Sequence, residues 1–218
     1  MDKKLLNQQS QHWESNFSSK PEMFGLEPSY SAKKSLEIFK KYNIKNILEL
    51  GAGLGRDTIY FANNNIKVYA LDFSPCAIDT INKKSKKFGL DKLITAEVFD
   101  IRKDFSFIRK NFDGCYSHML YCMALTLSEL EALNYKINLK LKDDGINIYT
   151  VRNTSDGDFQ KGSHIGEDLY EMNGFIVHFF SDEKIKKLLN GYKNLGIIRF
   201  DEGNFPRRLS MVINQKTS

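Results

Sequence analysis

The run Ile47-Leu48-Glu49-Leu50-Gly51-Ala52-Gly53-Leu54-Gly55-Arg56 decides the fold. Ile47 to Leu50 is short and almost wholly apolar, as expected of a strand buried on both faces. It stops on three glycines spaced two apart. Glycines in that place permit a tight turn and let a ligand approach the backbone amides that open the next helix. Arg56 to Asn63 reads as that helix, closed by Asn63-Asn64-Asn65. A dinucleotide fingerprint does not fit. Counted from Gly51, its third glycine falls on Arg56, and counted from Gly53 it falls on Thr58. The pattern is E-x-G-x-G-x-G instead.

Outward from this loop, strand-like and helix-like segments alternate, the signature of a parallel sheet with covering helices. Ile66 to Leu71 is a second strand ending at Asp72. Ser74-Pro75 opens a helix, with the hydroxyl able to cap and proline tolerated at the first helical position. Leu93 to Val98 is a third strand before Asp100, and Phe112 to His118 a fourth. Ser128 to Leu141 is a helix, and Asp143-Asp144-Gly145 turns into a fifth strand, Ile146 to Val151. Arg152 to Gly174 has no clear period and reads as an irregular insertion, which in a compact domain usually serves function. Asp182 to Leu189 is a helix capped by Ser181. Gly196 to Phe200 and Leu209 to Ile213, joined by the turn Asp201 to Pro206, must pair as an antiparallel hairpin.

The expectation is therefore an α/β fold: a Rossmann-like, doubly wound sheet of seven strands with a C-terminal antiparallel hairpin and helices on both faces. One domain spans 1–218. Within it, 1–43 forms an N-terminal helical cap, 44–151 the cofactor-binding half, 152–174 a lid-like insertion and 175–218 the C-terminal helix and hairpin.

Composition narrows the function classes. The 218 residues carry 32 basic and 27 acidic side chains, a formal charge of +5, with 41% hydrophobic and 27% charged residues. These are ordinary globular values. The lysines fall in helical patches, Lys83-Lys84 with Lys86-Lys87 and Lys184 with Lys186-Lys187, which read as solvated faces and not as a nucleic-acid stripe. Three cysteines, Cys76, Cys115 and Cys122, are too few and scattered for a disulfide framework or a zinc ribbon. No metal site is expected. The N-terminus turns polar before an apolar signal region develops, and Phe175 to Phe180 is far too short to span a bilayer. A soluble, cytoplasmic protein is expected.

A carboxylate at the end of the first strand suits a ligand bearing an amino group and a sulfonium centre better than a pyrophosphate. The run ILELGAGLGRDTIYFA, with VYALDFSP, EVFDI and FDGCYSHMLYCMAL, resembles class I S-adenosylmethionine-dependent methyltransferases, especially small-molecule members such as the tellurite-resistance and thiopurine types. The resemblance implies S-adenosylmethionine as cofactor. Gly51, Ala52, Gly53 and Gly55 would shape the loop around its methionine moiety, and Glu49 would hold the amino group. Asp72 would accept hydrogen bonds from the ribose, Phe73 would pack beside the adenine, and Asp100 with Ile101 would read the adenine edge.

The acceptor side is less legible. Methyl transfer is an in-line displacement, so alignment and exclusion of water matter most, with a base needed only for a protonated nucleophile. Ser117-His118-Met119-Leu120-Tyr121 follows the fourth strand where amine-methylating relatives acting on bases carry N-P-P-Y, and that motif is missing here. His118, which also belongs to the cofactor set, and Tyr121 are catalytic candidates. His164, in a polar glycine-flanked loop, is the preferred base, and His178, within an apolar run, reads as a core histidine. Trp13, Tyr30 and Arg152 are substrate candidates. The pair Cys115 and Cys122 with His118 raises soft-element methylation, although free cysteines are commonly small core hydrophobes. The expected partner is a small-molecule acceptor, with no specific nucleic acid and no membrane. The alternatives are an RNA or protein methyltransferase and a non-catalytic cofactor-binding module.

Overall fold

The computed structural model describes residues 3–20, 23–108, 111–203 and 207–217. Two helices, α1 (Lys3–Ser19) and α2 (Tyr30–Lys41), precede the sheet. The expected units follow: β1 (Asn46–Leu50), α3 (Arg56–Asn63), β2 (Lys67–Asp72), α4 (Pro75–Lys87), β3 (Ile94–Val98), β4 (Phe112–Ser117), α5 (Leu127–Lys140) and β5 (Leu141–Asn153). The chain ends in β6 (Ser163–Gly166), β7 (Leu169–Met172), β8 (Phe175–Phe180), α6 (Asp182–Lys187), β9 (Tyr192–Glu202) and β10 (Arg207–Lys216).

Strands β3, β2, β1, β4 and β5 run parallel in that spatial order. β10 then pairs antiparallel with β5 and β9 antiparallel with β10, completing the seven strands expected. Successive residues of the inner strands face opposite layers. Ile47, Val68 and Ala70 pack with Phe39 of α2, Phe61 of α3 and Ile81 of α4. Leu48, Leu50 and Leu71 pack with Leu130, Leu133 and Ile137 of α5 and Ile185 of α6. Helices therefore cover both faces of the sheet.

Two expectations are corrected. The stretch after Arg152 is not irregular throughout: β6 and β7 form an antiparallel hairpin that continues into β8, which pairs with β5 at Arg152 and Asn153. The missing period reflects strands of only four residues, separated by turns with left-handed residues at Glu167 and Asn173. The hairpin turn read from Asp201 starts too early, because Asp201 and Glu202 still belong to β9, paired with Arg208 and Arg207. Residues 204–206 of that turn lie outside the described residues.

Candidate active site

The carboxyl ends of β1, β2, β4 and β5 open into a cavity of about 480 Å³. Its floor is the glycine loop. Gly51, Gly53 and Gly55 all take positive φ. Gly51 and Gly53, with Ala52, line the cavity; Gly55 does not, and instead caps α3 where a Cβ would stand 2.6 Å from Ile81 Cγ1. Its role is close packing of loop against α4.

Glu49 and Asp72 stand on either side of the loop, both buried. Glu49 Oε2 has no hydrogen-bond partner in the structure. Burial, helped by the charges of Asp57 and Asp72, pushes its carboxyl up to about 8. A buried acceptor without a donor is costly, and an incoming ammonium group would satisfy it. Asp72 accepts from the N–H of Gly53 and the N–H of Ser74, each at 2.9 Å. Burial raises it to about 6, opposed by those two bonds. Its remaining lone pairs could receive hydroxyl groups. Phe73, Phe99 and Ile101 supply an apolar wall beyond Asp72. Orphaned carboxylate, glycine floor and apolar wall fit S-adenosylmethionine.

Asp100 does not join them. It lies outside the cavity lining, its carboxylate taken up by Arg102 through Nε at 2.8 Å and the backbone N–H at 3.0 Å. A basic residue two positions on competes for the acid that the resemblance assigned to the cofactor.

His118 is the expected catalytic candidate that does reach the cavity. Its Nδ1 lies 2.9 Å from Ser31 Oγ and 3.0 Å from Thr150 Oγ1, and its Nε2 3.3 Å from Glu202 Oε2. Ser31 continues into a buried network in which Tyr116 donates to Asp57 at 2.8 Å and Ser29 donates to Asp57 at 2.7 Å. Tyr121 is elsewhere: fully buried, stacked on Tyr149 with ring centroids 4.1 Å apart, its hydroxyl donated to Asn134. It is a packing tyrosine. His164 is also off the cavity. It sits exposed on β6, its Nε2 2.8 Å from the Glu167 carbonyl. The insertion's hairpin carries it to the outer strand, which no loop pattern could reveal. His178 is the satisfied core histidine expected, with Nδ1 2.7 Å from the Leu125 carbonyl and burial lowering it to about 4.

Of the substrate candidates, Trp13 and Arg152 line the cavity. Arg152 is buried and already bound through Nε and Nη2 to Asp156 and through Nη2 to Asp158 at 2.6 Å. Tyr30 does not line it; the first residue of α2, it packs half-exposed on Phe200 with centroids 4.7 Å apart. The thiols of Cys115 and Cys122 are buried, which pushes Cys122 up to about 11 and Cys115 higher. Among the described residues no group of histidines, cysteines and acids could hold a metal ion.

Above the cavity lies α1, within the segment 1–43 read as a helical cap. Glu14 of α1 accepts from Ser74 Oγ and from the N–H of Cys76, both just past Asp72. Gln9 bonds the Gly174 carbonyl at 2.8 Å, and Trp13 packs on Phe175 with centroids 4.8 Å apart. Helix α1 thus spans from α4 to β8 across the cavity. Residues that sequence reasoning missed are Asp57, Glu202 and Arg207, all on the lining. The first follows the glycine loop, a signal within reach; the other two depend on the length of the last hairpin.

Residues 47–145 match a family model described as a methyltransferase domain. None of the curated proteins matches the chain significantly. Several solved structures share the fold. 1,6-didemethyltoxoflavin-N1-methyltransferase from Burkholderia thailandensis is 16% identical, with a TM-score of 0.74 over 99% of this chain and 90% of that one. N-methyltransferase NodS from Bradyrhizobium japonicum, in complex with S-adenosylhomocysteine, is 11% identical, with a TM-score of 0.71 over 97% of this chain and all 100% of its own. CcbJ methyltransferase from Streptomyces caelestis is 12% identical, with a TM-score of 0.72 over 94% and 96% of the two chains. The matched segment, just under half of the chain, is similar to a methyltransferase domain, and the solved structures share the fold.

Proposed function

We propose that the protein methylates a small molecule, and that Glu49, Gly51, Ala52, Gly53, Asp72 and Phe73 hold its cofactor. The observation that carries this is the shape of the cavity: one roofed chamber, about 480 Å³, that runs from the glycine loop to Glu202 and Arg207. A roofed chamber admits a compact acceptor and keeps out a polymer, and pockets of this size suit small ligands. One structure of the same fold, by its printed name, acts on the small molecule 1,6-didemethyltoxoflavin, which agrees with this reading.

When bound, S-adenosylmethionine supplies an electrophilic methyl group on a sulfonium centre. The chain's part is to bind and align. Glu49 offers its orphaned oxygen to the amino group, and Asp72 its free lone pairs to the ribose. Phe73, Phe99 and Ile101 pack the adenine. Trp13, Phe24 and Phe175 exclude water, which strengthens every electrostatic contact inside. No helix of the described residues is long and apolar enough to cross a membrane. The three free thiols, two of them buried, suit a reducing cytoplasmic setting. Specific nucleic-acid binding is not expected.

Calorimetry tests the reading. S-adenosylmethionine and S-adenosylhomocysteine should both bind, and NAD should not. Tight binding of NAD with none of either sulfur ligand would overturn it.

A further inference from the structure

Glu202 ends β9 and lines the cavity, with a quarter of its side chain exposed. Three basic groups surround it. His118 Nε2 lies 3.3 Å from Oε2, Arg56 Nη2 lies 3.6 Å from Oε1, and Arg207 is its register partner across the hairpin. Oε2, itself buried, receives no hydrogen bond; the one from His118 Nε2 reaches Oε1, at 3.4 Å. The hydrogens around His118 can be assigned from its neighbours. Thr150 Oγ1 accepts from the N–H of Met119 at 2.8 Å, which leaves its own hydroxyl hydrogen free for His118 Nδ1. In the tautomer that takes this hydrogen at Nδ1, Nε2 bears the ring hydrogen and turns it toward Glu202. His118 therefore presents no free lone pair to the cavity and orients the carboxylate.

The other charges on this wall are spent. Arg152 is bound by Asp156 and Asp158, and Arg56 is shared between the Phe24 carbonyl, Asp57 and Glu202. Around them the chamber is apolar, with Phe24, Met123, Met172, Phe175 and Leu209 on the lining.

We propose that Glu202, positioned by His118 and Arg56, receives the acceptor, and that the acceptor is an amine or ring nitrogen carrying a hydrogen on an apolar body. This rests on the methyltransferase reading. As the N–C bond forms and the S–C bond breaks, sulfur keeps the bonding electron pair and becomes a neutral thioether, while nitrogen gains the positive charge. A carboxylate facing that nitrogen stabilises the charge as it develops, and the ammonium product leaves with its proton and loses it to water. A hydroxyl acceptor would need a stronger base. Burial alone would raise Glu202, but His118, Arg56 and Arg207 outweigh it and hold the carboxyl below the usual range.

The test needs no knowledge of the acceptor. Sinefungin carries an amine where S-adenosylmethionine carries the methyl-bearing sulfur, so it places a cation at the transfer point. Calorimetry on the wild type should show sinefungin binding about tenfold tighter than S-adenosylhomocysteine, the scale of a partly screened charge pair. Glu202→Gln should erase that preference and leave S-adenosylhomocysteine within about twofold. Equal affinities in the wild type would overturn the proposal, as would a preference that survives Glu202→Gln. Loss of S-adenosylhomocysteine in that variant would make Glu202 a structural strut and overturn it too. If the wild type bound neither ligand, the cofactor reading itself would fall.

Discussion

At the scale of single residues, burial decides what the acids around the glycine loop can do. Glu49 holds its proton to about pH 8 when folded, against about 4.5 for a free side chain. The folded state then binds a proton that the unfolded chain has released, so this contribution is full below about pH 4.5 and lost as pH rises through about 8. Between about pH 5 and pH 8 the cofactor-free protein should lose unfolding free energy, and Glu49→Gln should flatten that fall. Parallel curves from denaturant titrations would show that Glu49 is already ionised. Asp72→Ala should weaken S-adenosylhomocysteine by about 1.5 to 3 kcal/mol, read by calorimetry, because a buried charged acceptor disappears. The same change frees the N–H groups of Gly53 and Ser74, so part of the loss would reflect a looser loop. His164→Ala should leave both cofactor affinity and turnover as they are, since the side chain, exposed and off the cavity, bonds the Glu167 carbonyl and packs on the Tyr170 ring. A fall in turnover would return His164 to the site.

Elements matter next, because α1 closes the chamber that the strand ends open. Helix α1 is held over the cavity by Gln9, Trp13 and Glu14, each reaching a different element or loop. Elements held by few contacts open at low cost, and ligand supplies contacts they lack. Amide exchange in Gln8–Ser19 and in Met172–Val177 should therefore slow together when S-adenosylhomocysteine binds. Equal exchange with and without ligand would rule out a closing roof. The junction of α3 with α4 is tighter. Gly55 holds φ +80° against Ile81, so Gly55→Ala should cost about 1 to 3 kcal/mol in a denaturant titration, from strain and overlap together. An unchanged midpoint would mean that Ile81 yields freely.

For the molecule as a whole, ligand binding and folding are linked. Saturation with S-adenosylhomocysteine at a hundred times its Kd should add about 2.7 kcal/mol and raise the melting temperature, whereas NAD should not. The sequence alone determined the seven-strand sheet, because each of those strands is an apolar run bounded by turn residues, and local pattern follows directly from burial. It brought the proposed cofactor residues together for the same reason: Glu49, the glycines and Asp72 lie within one strand-loop-helix-strand unit, so their spacing along the chain is their spacing in space. The proposed acceptor end is different. His118, Arg152, Glu202 and Arg207 come from four strand ends or the loops beyond them, and α1 arrives from far upstream to cover them. Which of them meet depends on register and on the extra length of β9, which carries Glu202 two residues beyond where the pattern stops. His164 and Tyr121 fit the pattern as well as His118, and only packing sent one to an outer strand and the other into the core. Side chains brought together across long separations by the closing of a sheet leave no periodic trace, so tertiary structure alone decided them.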